Sequence, residues 1–555
     1  MKKLLSLVLA LVMVFAMSAT AFADMTDADY AAAAKVFAGD LRTDYAGTTV
    51  ILHSNDVHGA LTGYAYIPTL RSWFEAQGAE VIVADAGDFS QGTTYVSASK
   101  GLTAVEMMNA AKYDIVTLGN HEFDFGYAQL MENLSKAEFT TICANVYLDE
   151  TGETILPATA VIETKAGLKI GFFGMETPET ATKVNPGMIK EINFSTFDKL
   201  YEAGQKAVDD LKAQNVDLVV GLFHLGVDEE SAPNGYRSVD AFAKISGIDF
   251  VLDGHSHTVM TAGENGEPIQ STGTKFANIG VVVINNETKA VEANYLVNTK
   301  YLAQDQEVLA KAQAIIDEVD AKYGAVFAST EVRLNGDRDP GNRTEETNLG
   351  DLITDAMVWS VVKEGGIEQD ELNAVVGVTN GGGIRATIVA GDITMNNINT
   401  VLPFGNTVAV VYVTGAELLE ALEASTFCTP TSIGGYPQTS GITWTLDTTV
   451  PYDQGEVYVL DGKESSYYAP ASIKRVTITA INGEPFDENA TYAVVTNNFC
   501  AAGGDTYNVF ARSSSSFDTG IPMDEAVMDY VADVLGGKIT AEAYGEPHGS
   551  QTQVR

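Results

Sequence analysis

The chain has 555 residues, too many for one ordinary hydrophobic core, and its 45% hydrophobic content suffices to fill at least two. Its 74 acidic residues against 33 lysines and arginines give a net charge of −41. That balance excludes a protein that tracks nucleic-acid polymers, while a small phosphorylated molecule could still be caught by a local cationic site. Only three cysteines occur, Cys143, Cys428 and Cys500, too far apart for a disulfide framework or a zinc knuckle.

At the N-terminus, Lys2 and Lys3, the apolar run Leu7 to Met17 and the small-residue site Ala21-Phe22-Ala23 predict a cleaved secretory signal over residues 1–23. The run is too short for a membrane span. The polar stretch Gly549 to Arg555 carries no lipidation signal. The expectation is a secreted, extracytoplasmic protein without a stable membrane anchor. Residues 24–47 read as a mobile leader, with a short helix over Tyr30 to Phe37.

From residue 48 the pattern is repetitive. Thr49 to Ser54 reads as a strand and is followed at once by Asn55-Asp56-Val57-His58-Gly59. A helix over Ile67 to Gln77 leads to the strand Glu80 to Ala84 and then to Asp85-Ala86-Gly87-Asp88. A helix around Leu102 to Lys112 precedes the strand Tyr113 to Leu118, which delivers Gly119-Asn120-His121-Glu122-Phe123-Asp124. Thr159 to Ile162 and Leu168 to Met175 are strands without an evident ligand. Asn215 to Phe223 then delivers His224, and Ile248 to Leu252 delivers Asp253-Gly254-His255-Ser256-His257. Alternating strands and helices predict an α/β fold whose ligands sit beyond the carboxyl ends of the strands.

Five of the seven histidines, at 58, 121, 224, 255 and 257, stand at these strand ends; His53, inside a strand, and His548, in the tail, read as structural. Asp56 and His58, one residue apart, can face the same cation. The glycine before Asp88 permits a sharp turn, and a carboxylate there can bind one cation with each oxygen. Oxygen and nitrogen donors without thiolate suit Zn, Mn, Fe or Co. Seven donors with one bridge make two sites, and two ions roughly 3.5 to 4 Å apart are a standard device for in-line attack on phosphorus. Glu122 and Phe123 read as spacers.

Beyond residue 300 the spacing of Val308, Leu309, Ala312, Ile315, Ile316, Val319 and Tyr323 predicts a long connecting helix near 303–324. Asn335 to Gly341 resembles a calcium loop, but Pro340 stands where such a loop needs its turn glycine. The second half holds Arg343, then Asn380-Gly381-Gly382-Gly383-Ile384-Arg385, then Phe404-Gly405-Asn406, and finally Asn498-Phe499 with Gly503-Gly504-Asp505. Arginines beside glycine-rich turns suit a phosphate, and loop phenylalanines suit a stacked base.

The set Asn55-Asp56-x-His58-Gly59, Gly87-Asp88, Gly119-Asn120-His121-Glu122-x-Asp124, His224 and Gly254-His255-Ser256-His257 resembles the calcineurin-like metallophosphoesterases. Its order and the second half resemble the secreted 5'-nucleotidases and UDP-sugar hydrolases. The resemblance implies an N-terminal β-sandwich flanked by helices over 48–300, a linker helix over 301–327 and a C-terminal α/β nucleoside-binding domain over 328–545. It implies one metal on Asp56, His58, Asp88 and His257 and another on Asp88, Asn120, His224 and His255, with His121 and Asp124 as a catalytic dyad. Some relatives carry Gln at the position of His257, so metal preference does not carry over. By the same resemblance Phe404 and Phe499 would stack on the base and Asp505 would take the ribose hydroxyls. Arg343, Asn380 and Arg385 would face phosphate or ribose, and Asn406 and Gly441 would line the base pocket. The active site would lie between the domains, with a hinge near the long helix. The implied activity is removal of phosphate from nucleoside 5'-monophosphates by a metal-bound hydroxide. 2',3'-Cyclic nucleotides, nucleoside diphosphates and UDP-sugars stay open as substrates of the same site. A rival from another class is a non-enzymatic surface-binding protein. Oligomeric state is not legible.

Overall fold

The computed structural model describes residues 44–555 except 186–187, 364–366, 368–373 and 461. The signal over 1–23 and the leader helix over Tyr30 to Phe37 lie outside the described residues. The chain divides into two compact units. The first takes residues up to Gln91, Tyr95–Thr180 and Glu191–Asp317, the second Gly92–Thr94, Ala181–Lys190 and Glu318–Arg555.

The first unit is a sandwich of two six-stranded sheets. One sheet runs in the order Ala290–Asn298, Asn278–Asn285, Thr48–Ser54, Glu80–Asp85, Ile115–Thr117, Thr140–Ile142, with its last four strands parallel. The other runs Val259–Met260, Ile269–Thr272, Phe250–Asp253, Leu218–His224, Lys169–Glu176, Thr159–Glu163, parallel in its four central strands. Strand side chains alternate between faces, so each apolar run serves two cores at once. Ile51, Ile82 and Ile115 of the first sheet meet Phe172, Val220 and Leu252 of the second between the layers. Their neighbours Val50, Leu52, Val81 and Val83 point the other way, against Leu70 and Phe74 of helix Tyr66–Ala76 and Val105 and Met108 of helix Leu102–Ala111. Helix Asp198–Ala213 covers the second sheet, placing Leu200, Val208 and Leu211 on Phe173, Val219 and Val251. The strand Tyr113 to Leu118 expected from sequence is shorter, Ile115–Thr117.

The second unit is built on a mixed sheet ordered Pro437–Ser440, Val375–Asn380, Thr491–Asn497, Thr407–Thr414, Ser516–Pro522. Helix Asn348–Lys363 packs Leu352, Ile353 and Met357 on Val375, Val410 and Val495, and helix Gly415–Ser425 packs Leu418 and Leu422 on Val376, Val411 and Val494 of the opposite face. The terminal strand Gln551–Val554 pairs in parallel with Ile442–Asp447, so ordered structure continues beyond residue 545. The connecting helix spans Gln306–Tyr323; Val308 and Ala312 are buried in the first unit's core, and the division between units falls inside it. Among the described residues no helix is long and apolar enough to cross a membrane.

One buried carboxyl in the second unit makes stability depend on pH. Asp351 is 1% exposed and its Oδ2 accepts the His548 N–H at 2.8 Å. Burial first, and the Glu346 carboxylate next, push its pKa up to about 8. Between the unfolded value of about 4 and this one the folded chain keeps a proton that the unfolded chain gives up, so stability falls as pH rises through that window. Asp351→Asn keeps the acceptor for His548 and removes the charge. Thermal melts should show it about 2–4 °C more stable than the parent at pH 8 and nearly equal at pH 5.

Candidate active site

Five strand ends deliver the site residues of the first unit, three from one sheet and two from the other. Strand Thr48–Ser54 leads to Asp56 and His58, Glu80–Asp85 to Asp88, and Ile115–Thr117 to Asn120 and His121; Leu218–His224 ends on His224, and Phe250–Asp253 leads to His255 and His257. All seven expected ligands come together, and all but His255 and His257 are buried. Asp56, His58 and His257 form one group whose donor atoms lie within 4.8 Å of one another, and Asp56, Asp88 and His224 form another. Asp88 stands in the middle, its Oδ2 lying 3.7 Å from His58 Nε2 and 3.2 Å from His224 Nε2. Asn120 Oδ1 is 2.9 Å from His255 Nδ1.

The turns that bring these side chains together are strained. Asp56, His58, Asp88, His255 and His257 all have positive φ, between 44° and 76°, a conformation that non-glycine residues avoid. Such strain costs of order 1–3 kcal/mol per residue and gathers at functional sites. Two glycines make room for the approach. Gly87 has φ 90°, and a Cβ on it would lie 2.5 Å from Gly119 N. A Cβ on Gly119 would lie 2.3 Å from Asp88 Oδ1 and 2.8 Å from His224 Cε1.

The donor set fits divalent cations on two counts. First, His224 Nδ1 faces the Ala86 carbonyl at 2.6 Å, which draws a ring proton there and turns Nε2 toward Asp88. That Nε2 is buried and finds no aligned hydrogen bond, although Asp88 Oδ2 is near. His58 repeats the pattern: Nδ1 faces the Gln91 carbonyl at 3.2 Å, and Nε2 points at His257 Nε2, 2.9 Å away. Second, the pocket buries the carboxyls of Asp56 and Asp88 close together with no lysine or arginine among the expected ligands. Burial pushes the Asp56 carboxyl well above its ordinary pKa. Burial acts on Asp88 in the same sense, but the imidazoles of His224, His121 and His58 outweigh it and hold that carboxyl well below the usual range. Cations among these atoms would satisfy both carboxylates at once.

His121 joins His58 and Asp88 in a third such group, its Nε2 lying 4.0 Å from Asp88 Oδ2. Its Nδ1 makes a 2.7 Å bond to Asp124 Oδ2, and its backbone N–H donates to Asp88 Oδ1 at 2.9 Å. A ring held in this way presents Nε2 beside the cluster.

Three further residues, unassigned on sequence, build the frame. Glu122, expected to be a spacer, is 2% exposed, and its carboxylate accepts four backbone N–H groups: Gly119 at 2.6 Å, Asp88 at 2.8 Å, and Phe89 and Ser90 at 2.9 Å each. Asn55 donates to Asp56 Oδ2 at 2.6 Å and to the Gly273 carbonyl at 2.8 Å, and accepts from Thr272 N–H, which ties the two sheets together under the site. Glu179 Oε2 lies 3.3 Å from His255 Nε2. Asn55 and Glu122 sit inside motifs visible in the sequence; Glu179 has no such signal.

A calcineurin-like phosphoesterase model matches residues 49–259, and a 5'-nucleotidase C-terminal domain model matches residues 326–512. The chain belongs to the 5'-nucleotidase family. The trifunctional nucleotide phosphoesterase protein YfkN of Bacillus subtilis (strain 168) is 30% identical over 547 residues, 89% of this chain and 34% of that protein, so the chain spans about a third of that relative. The venom 5'-nucleotidase of Crotalus adamanteus is 27% identical, covering 87% of this chain and 85% of its own. The crystal structure of a 5'-nucleotidase precursor from Thermus thermophilus superposes with a TM-score of 0.75 at 28% identity, covering 92% of this chain and 99% of its own.

Within the 5'-nucleotidase C-terminal domain, Asn380 Nδ2 donates to Asp505 Oδ2 at 2.9 Å, and Asn497 donates to Asn380 Oδ1 at 3.0 Å. Asp505 is another residue of positive φ, 49°. The Arg385 guanidinium lies over the Phe404 ring, 5.6 Å from its centroid. Phe404 and Asn406 line a small cavity with Gly383, Leu402, Asn497 and Met523. Phe499 is 7% exposed and packs on Gly504, where a Cβ would come 2.2 Å from its ring. The Arg343 carbonyl accepts the Ile433 N–H at 3.2 Å, which places Arg343 beside the turn Gly434-Gly435.

Gly441 does not join this group. The pairing of Val375–Asn380 with Pro437–Ser440 sets Asn380 opposite Pro437 and Gly377 opposite Ser440. Gly441 therefore falls beside Val375, where Asn482 bonds to both, about 16 Å along the strand from Asn380. Gly434 and Gly435 stand beside Asp505 instead. The Gly434 carbonyl accepts the Gly382 N–H at 2.7 Å, and a Cβ on Gly434 would lie 3.6 Å from both Asp505 carboxylate oxygens.

Glu122→Gln tests the frame. The amide offers one acceptor oxygen and turns an N–H₂ toward backbone donors, so at least two buried N–H groups lose their partner. Denaturant unfolding should show a loss of about 2–4 kcal/mol, and unchanged stability would mean that the turns hold without this carboxylate.

Proposed function

We propose that the chain is an exported phosphohydrolase that uses two divalent cations to remove phosphate from nucleoside 5'-monophosphates. The observation that carries this reading is Asp88 set between the imidazole Nε2 atoms of His58 and His224, with the His121–Asp124 pair next to it. The names of the relatives support the substrate class.

Asp56, His58, Asp88 and His257 would hold one cation, and Asp88, Asn120, His224 and His255 the other; Zn, Mn, Co and Fe all suit these donors. When bound, the cations would supply the Lewis acidity that activates water and neutralises charge on the phosphoryl oxygens. The chain's own residues do the rest. His121, its Nδ1 held by Asp124, directs Nε2 at the phosphoryl group, where it stabilises charge on the equatorial or leaving oxygen and can pass a proton to the departing nucleoside hydroxyl. Asp124 supports the charge the ring carries during that transfer. Water adds to phosphorus as the ester oxygen leaves, so the products are nucleoside and inorganic phosphate with no phosphorylated side chain. Arg343, Asn380, Arg385, Phe404, Asn406, Phe499 and Asp505 would bind the nucleotide: the arginines and Asn380 at phosphate and ribose, Asp505 at the ribose hydroxyls, the aromatic rings at the base.

A second reading, favoured by the trifunctional description of the Bacillus relative, extends the same site to 2',3'-cyclic nucleotides and to the pyrophosphate bond of ADP or UDP-sugars. Rates on AMP, ADP, UDP-glucose and 2',3'-cyclic AMP from one preparation separate the two. Exhaustive EDTA treatment should abolish phosphate release from AMP, with recovery on adding a divalent cation. His121→Ala should lower kcat by about 10²- to 10⁴-fold in a protein that still melts cooperatively. Full activity after metal removal would refute the mechanism.

A further inference from the structure

We propose that Glu179 is a positioning residue that decides which ring nitrogen His255 presents to a divalent cation, an inference that rests on the dinuclear reading above. Glu179 follows strand Lys169–Glu176 in the chain, outside every sequence motif that delivers a ligand. It is 1% exposed, and its Oε2 approaches His255 Nε2 at 3.3 Å.

An imidazole can donate a lone pair only from a nitrogen that bears no proton. At His58 and His224 the choice is made by backbone, since the Gln91 and Ala86 carbonyls face Nδ1 and turn Nε2 toward Asp88. At His255 the geometry is reversed. A carboxylate stands at Nε2 and draws the proton there, which leaves Nδ1 bare. That Nδ1 lies 2.9 Å from Asn120 Oδ1, itself an acceptor. With the ring proton at Nε2, Nδ1 and Asn120 Oδ1 are two acceptors side by side, a pair that a divalent cation would satisfy. The main chain of His255 is fixed as well, its N–H donating to Oδ1 and Oδ2 of Asp56 at 3.1 Å each. The carboxylate thus controls the ring about an axis that the backbone has already placed.

The turn does not depend on the Glu179 side chain. Glu176 N–H donates to Asn145 Oδ1 at 2.8 Å, the Thr180 hydroxyl bonds to Glu176 Oε1, and Glu179 N–H donates to Thr177 Oγ1 at 3.3 Å. Variants at 179 therefore leave these anchors in place.

The test is a Co²⁺ titration of the metal-free full chain, followed by visible absorption, for the wild type, Glu179→Gln and Glu179→Ala. The wild type takes up two ions. Glu179→Ala should bind one of them about 10- to 100-fold more weakly, with a changed absorption band. Glu179→Gln, whose amide oxygen still accepts the Nε2 proton, should lose less than the alanine variant. Turnover of AMP should fall through kcat with KM nearly constant, and the metal-free melting temperature should stay within about 2 °C of the parent. The proposal fails if Glu179→Ala binds both ions with wild-type affinity and spectrum. It also fails if both variants are equally weakened and their metal-free forms melt lower, which would assign Glu179 to the scaffold. A wild type that takes up fewer than two ions would overturn the dinuclear reading itself, and with it this role.

Discussion

The site depends on one buried carboxylate that touches no expected ligand side chain. Glu122 gathers the N–H groups of Asp88, Phe89, Ser90 and Gly119. Two strand ends of the first sheet are thereby clamped to one another, and the clamp sets Asp88 against the Asn120-His121 turn. Four charge-assisted bonds to backbone are a strong fixture, because the donors are rigid and water is excluded. Burial and the neighbouring Asp88 push the Glu122 pKa up to about 7, while the N–H groups it accepts pull the other way. Glu122 thus acts on Asp88 through geometry and charge together.

From this clamp the strain of the site becomes intelligible. A ligand cluster of seven side chains from five strand ends cannot be reached with relaxed turns, and five of the seven ligands adopt positive φ. The sheets supply the rigidity that holds them there. Ile51, Ile82 and Leu252 fill the space between the layers directly behind the ligand-bearing ends, and Asn55 bolts one sheet to the other at the site itself. At those five positions a glycine would relieve the backbone strain and lose the donor, so stability and function pull in opposite directions there.

Much of this was legible in the chain. Apolar runs that end in Asp, Asn or His reveal strand ends with little ambiguity, and a handful of histidines in 555 residues makes their company informative. The helices over Tyr66–Ala76 and Leu102–Ala111 begin and end within a residue of where the spacing places them. What escaped was whatever depends on register or on contacts across long separations. Glu122 lies in plain view between His121 and Phe123, but all its partners save Gly119 are backbone groups more than thirty residues away, and backbone donors leave no trace in residue identity. Glu179 meets a histidine 76 positions later. Gly441 and the pair Gly434-Gly435 look alike as letters. Only the antiparallel register of Pro437–Ser440 on Val375–Asn380 separates them, because it carries one to the strand end near Asp505 and the other to the opposite end.

The charge of the molecule sharpens what the site must accomplish. A chain of net charge −41 repels a phosphorylated substrate over the whole of its screened surface, and at physiological salt that repulsion decays within about 8 Å. Attraction must then be local and concentrated. The first unit has no lysine or arginine among the expected ligands, and buries Asp56, Asp88, Glu122 and Glu176 in one neighbourhood. Burial pushes the Asp56 and Glu176 carboxyls well above their ordinary range, a cost that divalent cations at the site would offset. In the proposed reading, the acidic residues that would hold the cations would be what lets a strongly acidic chain attract an anion at one point.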